Sequence, residues 1–125
     1  MILDTNALSA LVEGDDALQP VIRRAVDLAI PVVVLGEFRY GVSQSRHRAQ
    51  YERWLAEFLP AFHILDIDEE TTTPYSAVRA ELRRAGTPIP VNNVWIAALC
   101  RQHSLPIISR DRHFDVVRGV ARLSW

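Results

Sequence analysis

The sequence predicts an α/β fold, in which helices cover both faces of a mostly parallel sheet. Short apolar runs indicate four buried strands: residues 1–3, 31–34, 63–65 and 106–109. A last short strand is expected over residues 121–125. Apolar residues at helical spacing indicate four helices between them: residues 15–29, 48–59, 75–86 and 91–103. Strands that alternate with helices in this way are expected to run parallel, because each helix carries the chain back along the sheet.

The individual helices are predicted from their periodicity and from the residues at their ends. Pro20 is tolerable in the first helix because it falls in an early turn. Gly86 is typical of the residue just beyond a helix C-terminus, and it is expected to end the third helix. The fourth helix is expected to begin near Asn92, with the asparagine as its cap, and to end before Pro106.

The length and composition indicate one domain, residues 1–125. The chain is 49% hydrophobic and 23% charged, which is ordinary for a globular protein. Its one cysteine, Cys100, excludes an intramolecular disulfide and is expected in the core. The longest apolar stretch, residues 30–35, is too short to cross a membrane, and the N-terminus lacks the basic region of a signal peptide. A cytoplasmic location is therefore expected.

The basic residues exclude several classes of function. The net charge is −1, and all 14 basic residues are arginine. Without lysine, the chain has no P-loop lysine for a nucleotide and no Schiff-base lysine. A receiver-type signalling domain is disfavoured for the same reason.

Acidic residues follow three of the predicted strands. Asp4 follows the first, Glu37 the second, and Asp111 and Asp115 the fourth. Ligand sites in such folds lie beyond the carboxyl ends of the strands, so these acids are expected at one edge of the sheet. Clustered carboxylates need a neutralising cation, and oxygen ligands favour Mg²⁺ or Mn²⁺ over Zn²⁺.

Each acid also has a simpler interpretation. Asp4, Asp111 and Asp115 are each in a position to cap a helix. Glu37 is harder to explain in this way, because it comes after an apolar run and burial of an unpaired acid is costly. The four histidines show no metal-ligand spacing, and no serine lies in the motif of a serine hydrolase. The pair Arg110 and Arg112 could hold phosphates, although solvated surface is the default for such a pair.

Four segments, in this order, resemble the PIN-domain family and specifically the VapC-like toxins of bacterial type II toxin–antitoxin systems: "ILDTNALSAL", "GEFRYGV", "GTPIPVNNVWIAALC" and "LPIISRDRHFD". The resemblance covers essentially the whole chain. It implies a three-layer α/β/α sandwich and an endoribonuclease that depends on Mg²⁺ or Mn²⁺. It also implies a homodimer and inhibition by a cognate VapB-type antitoxin.

The resemblance also assigns roles to residues. The family's first, second and fourth acids correspond to Asp4, Glu37 and Asp111 as metal ligands. Three further positions are implied as supporting residues: Asn6, Ser109 and the additional acid Asp115.

The chain departs from the family at position 93. The family's third acid is the aspartate of an "ND" pair, and here that pair reads Asn92-Asn93. Asn93 offers a carbonyl oxygen without charge, so a weakened or inactive enzyme is expected. Two explanations stay open, a natural variant and an engineered inactive form; an otherwise intact motif set favours the second. The alternative function is a non-catalytic PIN module that binds RNA or a protein partner.

Overall fold

The computed structural model describes residues 1–125 and confirms the predicted α/β class. Five strands form one sheet in the order β3-β2-β1-β4-β5, and all neighbours are parallel. The strands are β1 (Ile2–Leu3), β2 (Ala29–Pro31), β3 (His63–Leu65), β4 (Ile107–Ile108) and β5 (Arg122–Leu123). The helices are α1 (Thr5–Glu13), α2 (Gln19–Arg24), α3 (Val32–Ser43), α4 (Arg48–Phe58), α5 (Thr72–Ala85) and α6 (Val91–His103). Short 3₁₀ turns follow at Leu59–Ala61 and Arg112–Val116.

Both faces of the central strands are covered, whereas β3 at one edge of the sheet is exposed, so the expectation of a buried strand at residues 63–65 is wrong. Successive residues of a strand point to opposite faces, and both residues of β1 and both of β4 are fully buried. Such strands read as continuous apolar runs, which is why the sequence reveals them. Cys100 is also buried, and burial raises the pKa of its thiol to about 12. No helix is both long and apolar enough to cross a membrane.

The prediction of a strand over residues 31–34 is wrong. β2 ends at Pro31, and Val32 already begins α3. Proline has no amide hydrogen to continue the strand pairing, and it is well placed just before a helix. The valines are helical despite their preference for strands, and Val34 packs in the core. Glu37 consequently lies in the second turn of a helix rather than directly after a strand.

The region between β1 and β2 also differs from the prediction. The helix expected over residues 15–29 is limited to α2, because Ala25 is extended and Ala29 belongs to β2. α1 was not predicted. It begins at the N-cap Asp4 and ends at Gly14, which has a left-handed conformation with φ of 73°.

The strand order marks the place for a ligand. Successive connections place β2 and β3 on one side of β1, whereas β4 and β5 lie on the other. In sheets with such a reversal, a crevice opens beyond the carboxyl ends of the two strands that flank it. Asp4 directly follows β1 and Ser109 directly follows β4, so both residues lie at this crevice.

Candidate active site

A small pocket of about 160 Å³ lies at the crevice between β1 and β4. Its lining comes from the end of β1, from α1, α3 and α6, and from the segment after β4: Asp4, Thr5, Asn6, Glu37, Asn93, Ile96 and Asp111. We call it the acid pocket. Four of the residues predicted as metal ligands are therefore brought together, although they are far apart in sequence.

Asp4 caps a helix and also lines the acid pocket. Its Oδ1 accepts a hydrogen bond of 2.8 Å from the amide of Ala7, and its Oδ2 accepts one from the Ser109 hydroxyl. Burial raises the pKa of Asp4, and the nearby carboxylates of Asp111 and Glu37 raise it further, against the lowering effect of the two hydrogen bonds. Asp4 is therefore both the N-cap of α1 and a residue of the candidate site, so the two interpretations of this acid do not exclude each other.

Asp111 has a different electrostatic environment. Its Oδ1 accepts from the His113 amide at 2.9 Å and lies 2.8 Å from His113 Nδ1, and its Oδ2 accepts from the Asn93 amide at 2.9 Å. Partial burial alone would raise the pKa of Asp111. The hydrogen bonds from the His113 backbone and from Asn93, together with the His113 imidazole, outweigh it, so the pKa is lowered.

The two asparagines at the start of α6 reach across the acid pocket. The N-cap of α6 is Pro90 and no side chain caps the helix, so the expectation that Asn92 is the cap is wrong. Instead Asn92 Nδ2 donates to Glu37 Oε1 at 2.9 Å, and Asn93 Nδ2 donates to Asp111 Oδ2. Each acid contacted by an asparagine thus receives a neutral amide donor.

Glu37 lies on the open side of the acid pocket. Its side chain is exposed, so the expectation of a buried acid is wrong. Besides the Asn92 amide, it has a long contact of 3.5 Å from the Thr5 hydroxyl to Oε2. The strand assigned to residues 31–34 suggested burial, whereas the helix turns this position toward solvent.

The supporting residues occupy different places. Ser109 is fully buried and contacts Asp4 directly. Asn6 is exposed and lines the acid pocket. Asp115 does not line the pocket, because it forms a two-pronged ion pair with Arg122.

The two arginines proposed for RNA phosphates also differ. Arg110 donates from Nε to the backbone oxygen of Trp125 at 2.9 Å, and its guanidinium lies 4.5 Å from the centre of that indole ring. Arg112 is exposed and has no hydrogen-bond partner in the protein. Of the two, Arg112 is thus the one whose guanidinium has no competing hydrogen bond.

Sequence reasoning missed several contacts of the site. Thr5, Asn92, His113 and Arg122 each touch a pocket acid or a residue that holds one. His113 could have been found, since it lies two residues after Asp111, a spacing at which an N-cap contacts its helix. The contact between Asn92 and Glu37 joins residues 55 positions apart, so no local sequence pattern could predict it.

The donor set of the acid pocket suits a hard cation. Asp4, Glu37 and Asp111 supply carboxylate oxygens and Asn93 an amide oxygen, which are ligand types of Mg²⁺ and Mn²⁺. No three His, Cys, Asp or Glu side chains are gathered closely enough to surround one ion. Asn93 presents its nitrogen to Asp111, so its amide must rotate before its oxygen can serve as a ligand.

A parallel α/β sheet with acids at its strand-order reversal places this chain among the α/β proteins that carry a polar site at the carboxyl edge of the sheet. Comparison of the sequence with models of known families identifies the family. The model of the PIN domain matches residues 1–120. The chain therefore belongs to the PIN-domain family.

Individual relatives are VapC proteins, which confirms the resemblance seen in the sequence. The chain is 31% identical over 126 residues to ribonuclease VapC5 of Mycobacterium tuberculosis, with 96% of this chain and 89% of that protein covered. It is similar to a chain of VapBC2 from Rickettsia felis, solved bound to a promoter DNA fragment. That match has a TM-score of 0.89 and 25% identity, and covers 99% and 97% of the two chains. A chain of the toxin–antitoxin complex VapBC-5 from M. tuberculosis matches with a TM-score of 0.74 and 28% identity, over 98% and 94%.

Proposed function

We propose that this chain is a ribonuclease toxin of a type II toxin–antitoxin system, and that its acid pocket hydrolyses RNA phosphodiesters. One observation carries the proposal: the acid pocket lies at the strand-order reversal of a chain whose relatives are named VapC ribonucleases. Since the pocket is negatively charged and RNA is a polyanion, a bare pocket would repel its substrate. The proposed activity therefore requires a cation.

The proposed cofactor is Mg²⁺ or Mn²⁺. Asp4, Glu37 and Asp111 would hold it through carboxylate oxygens, with the Asn93 carbonyl as a weaker ligand, once these side chains, which do not surround one ion in this structure, move toward one another. PIN-domain ribonucleases generally depend on divalent metals, which supports this assignment. When bound, such an ion lowers the pKa of a water molecule and stabilises negative charge on a phosphate. Ser109 and the Ala7 amide would hold Asp4 in place, and Asn92 would hold Glu37.

We propose that Asn93 leaves this activity weak or absent. An aspartate at this position would be the fourth carboxylate of the pocket and would favour a hard cation. The asparagine removes that charge and also donates a hydrogen bond to Asp111, so it competes for the oxygen that an ion would use. The amide bridge thus satisfies the acid in the absence of metal.

The proposed partners are RNA, a second copy of the chain and a VapB-type antitoxin. Solved structures similar to this chain are VapBC complexes, which supports the antitoxin. Excess acid in the pocket would favour an arginine from such a partner. Arg112 is the proposed phosphate contact, with Arg110 second because Trp125 occupies it. An RNA substrate implies action in the cytoplasm.

A non-catalytic module is the second candidate. The observation that favours it is the pair of amide bridges from Asn92 and Asn93, which give two acids hydrogen-bond partners without a cation. Such a chain would bind RNA or a protein partner with no dependence on metal.

One experiment separates the two functions. Labelled RNA is incubated with this chain and with Asn93→Asp, each in Mn²⁺ and in chelator, and both binding and cleavage are measured. Metal-dependent cleavage that increases in the variant supports the ribonuclease, with Asp4→Ala as the inactive control. RNA binding that is the same in Mn²⁺ and in chelator, with no cleavage by either protein, contradicts the ribonuclease proposal and supports the non-catalytic module.

A further inference from the structure

Ser109 connects the acid pocket to β5. The residue is fully buried, and all its polar groups are used. Its amide donates to the Leu123 carbonyl at 3.0 Å, and its own carbonyl accepts from Arg122 Nη1 at 3.0 Å. Its hydroxyl donates to Asp4 Oδ2 and accepts from the Asp111 amide at 2.9 Å. Two contacts therefore lead to β5, and the other two lead to the pocket acids.

The Arg122 guanidinium is held in a fixed plane. Nε and Nη2 donate to the two carboxylate oxygens of Asp115 at 2.7 and 2.9 Å, which leaves Nη1 directed at the Ser109 carbonyl. The Arg122 side chain is only 16% exposed, whereas that of Asp115 is 48% exposed. A planar fork of this kind cannot be reproduced by the single ammonium of lysine.

From this geometry we propose that Arg122, oriented by Asp115, is a positioning residue for the acid pocket. It holds the Ser109 peptide, so that the Ser109 hydroxyl sits between the Asp4 carboxylate and the Asp111 amide. This gives Asp115 a role outside the pocket, in contrast to that of an additional acid beside a metal. The importance of the pocket for catalysis rests on the proposed function; the positioning itself does not.

The effect of Arg122 is separable from the pairing of its strand. The backbone bonds from Ser109 to Leu123 and from Ile107 to Ala121 do not use the arginine side chain. Removal of the guanidinium leaves these bonds and deprives the buried Ser109 carbonyl of its donor, which favours rotation of that peptide. We therefore expect the pocket to be disturbed more than the fold.

The first measurement is amide hydrogen exchange at Asp111, whose N–H donates to Ser109. It needs neither metal nor activity. In Arg122→Ala and Asp115→Asn, this amide should exchange several times faster than in the parent chain. Arg122→Lys should resemble the alanine variant, and it serves if Arg122→Ala does not fold. The matched control is Arg48→Ala, which removes the exposed Arg48–Glu52 ion pair of α4. Unchanged exchange at Asp111, or the same change in the control, overturns the proposal.

The second measurement is Mn²⁺ affinity by calorimetry in the Asn93→Asp background. Loss of a residue that orients metal ligands weakens metal binding by about 10- to 100-fold, so Arg122→Ala should fall in this range. The double variant Arg122→Ala with Asp115→Asn should bind Mn²⁺ no more weakly than Arg122→Ala alone, because both changes break the same connection from Asp115 through Arg122 to Ser109. If Mn²⁺ binds equally well without Arg122, the positioning role is wrong. If no protein binds Mn²⁺ although Asp111 exchange responds, the proposed function fails and the positioning of the pocket stands.

Discussion

The amide of Asn93 donates a hydrogen bond to Asp111 Oδ2 across 2.9 Å, so a neutral side chain bridges two segments of the acid pocket. The bridge occupies an oxygen that a cation would otherwise use, and it lowers the pKa of Asp111 together with the His113 contacts. Position 93 thus sets a balance between a stable pocket without metal and a pocket that binds one.

We predict that Asn93→Asp makes the protein less stable in chelator and more responsive to Mg²⁺. The new carboxylate would face Asp111, and the α6 N-terminus would offset only part of the repulsion. RNA cleavage should rise by about 10²- to 10³-fold, the typical value of one catalytic electrostatic contact. Thermal unfolding and a cleavage assay test this. Asn93→Ala, which removes the bridge without adding charge, is the control. An aspartate variant with the parent's metal response and no added cleavage would show that position 93 is no ligand.

We predict that Mg²⁺ or Mn²⁺ raises the melting temperature, because an ion that binds the folded state stabilises it. Asp4→Ala should abolish the rise, since Asp4 contributes a buried carboxylate to the acid pocket. Glu52→Gln removes an acid from the exposed surface of α4 and should leave the rise unchanged. The same rise in all three proteins would place the bound ion elsewhere.

Stability should depend on pH with opposite signs at two acids of the pocket. Burial raises the pKa of Asp4 in the folded state, so its ionisation costs stability above the ordinary pKa near 3.9. Relative to the parent chain, Asp4→Asn should therefore gain stability as the pH rises from that value toward neutral, in addition to a constant loss from replacing the Oδ2 that accepts from Ser109.

Asp111 provides the opposite case. Its folded-state pKa is lowered by hydrogen bonds that outweigh partial burial, so it contributes stability above the ordinary pKa that is lost as the pH falls. Asp111→Asn should destabilise the protein at neutral pH and converge with the parent in acid. Denaturant unfolding across pH 3 to 7 measures how each difference from the parent chain changes with pH; the same direction of change for both variants would refute this electrostatic description.

We predict that co-expression with an adjacent short reading frame yields a stable complex. An antitoxin that places an arginine against Asp4, Glu37 or Asp111 would form a charge-assisted contact. Tandem affinity purification and light scattering would detect the complex. Because the proposed contact is with the pocket acids, Asp4→Ala should weaken the complex. A neighbouring product that never co-purifies would count heavily against the toxin assignment.

Local patterns predicted the parts of the fold that depend on local chemistry. The positions of β1 and β4 can be predicted because both faces of these strands are buried, which gives continuous apolar runs. The expected position of Asp4 and Asp111 at the edge of the sheet follows from the ends of these runs. Glu37 was expected at the same edge, but the valines before it suggested a strand. Packing overrides their preference, and the pocket receives Glu37 from a helix. Contacts such as Asn92 to Glu37 and Arg122 to Ser109 depend on the assembled fold. No spacing in the sequence could reveal them.

The hydrogen bond between Ser109 and Asp4 joins residues 105 positions apart. During translation, a nascent chain that has exposed only β1, α1 and the first helices carries Asp4 but not the serine that orients it. The acid pocket can assemble only after β4 has emerged from the ribosome and inserted beside β1. Until then the chain carries the first acid of the pocket without the contact that positions it, so any chemistry at this site must follow the insertion of β4.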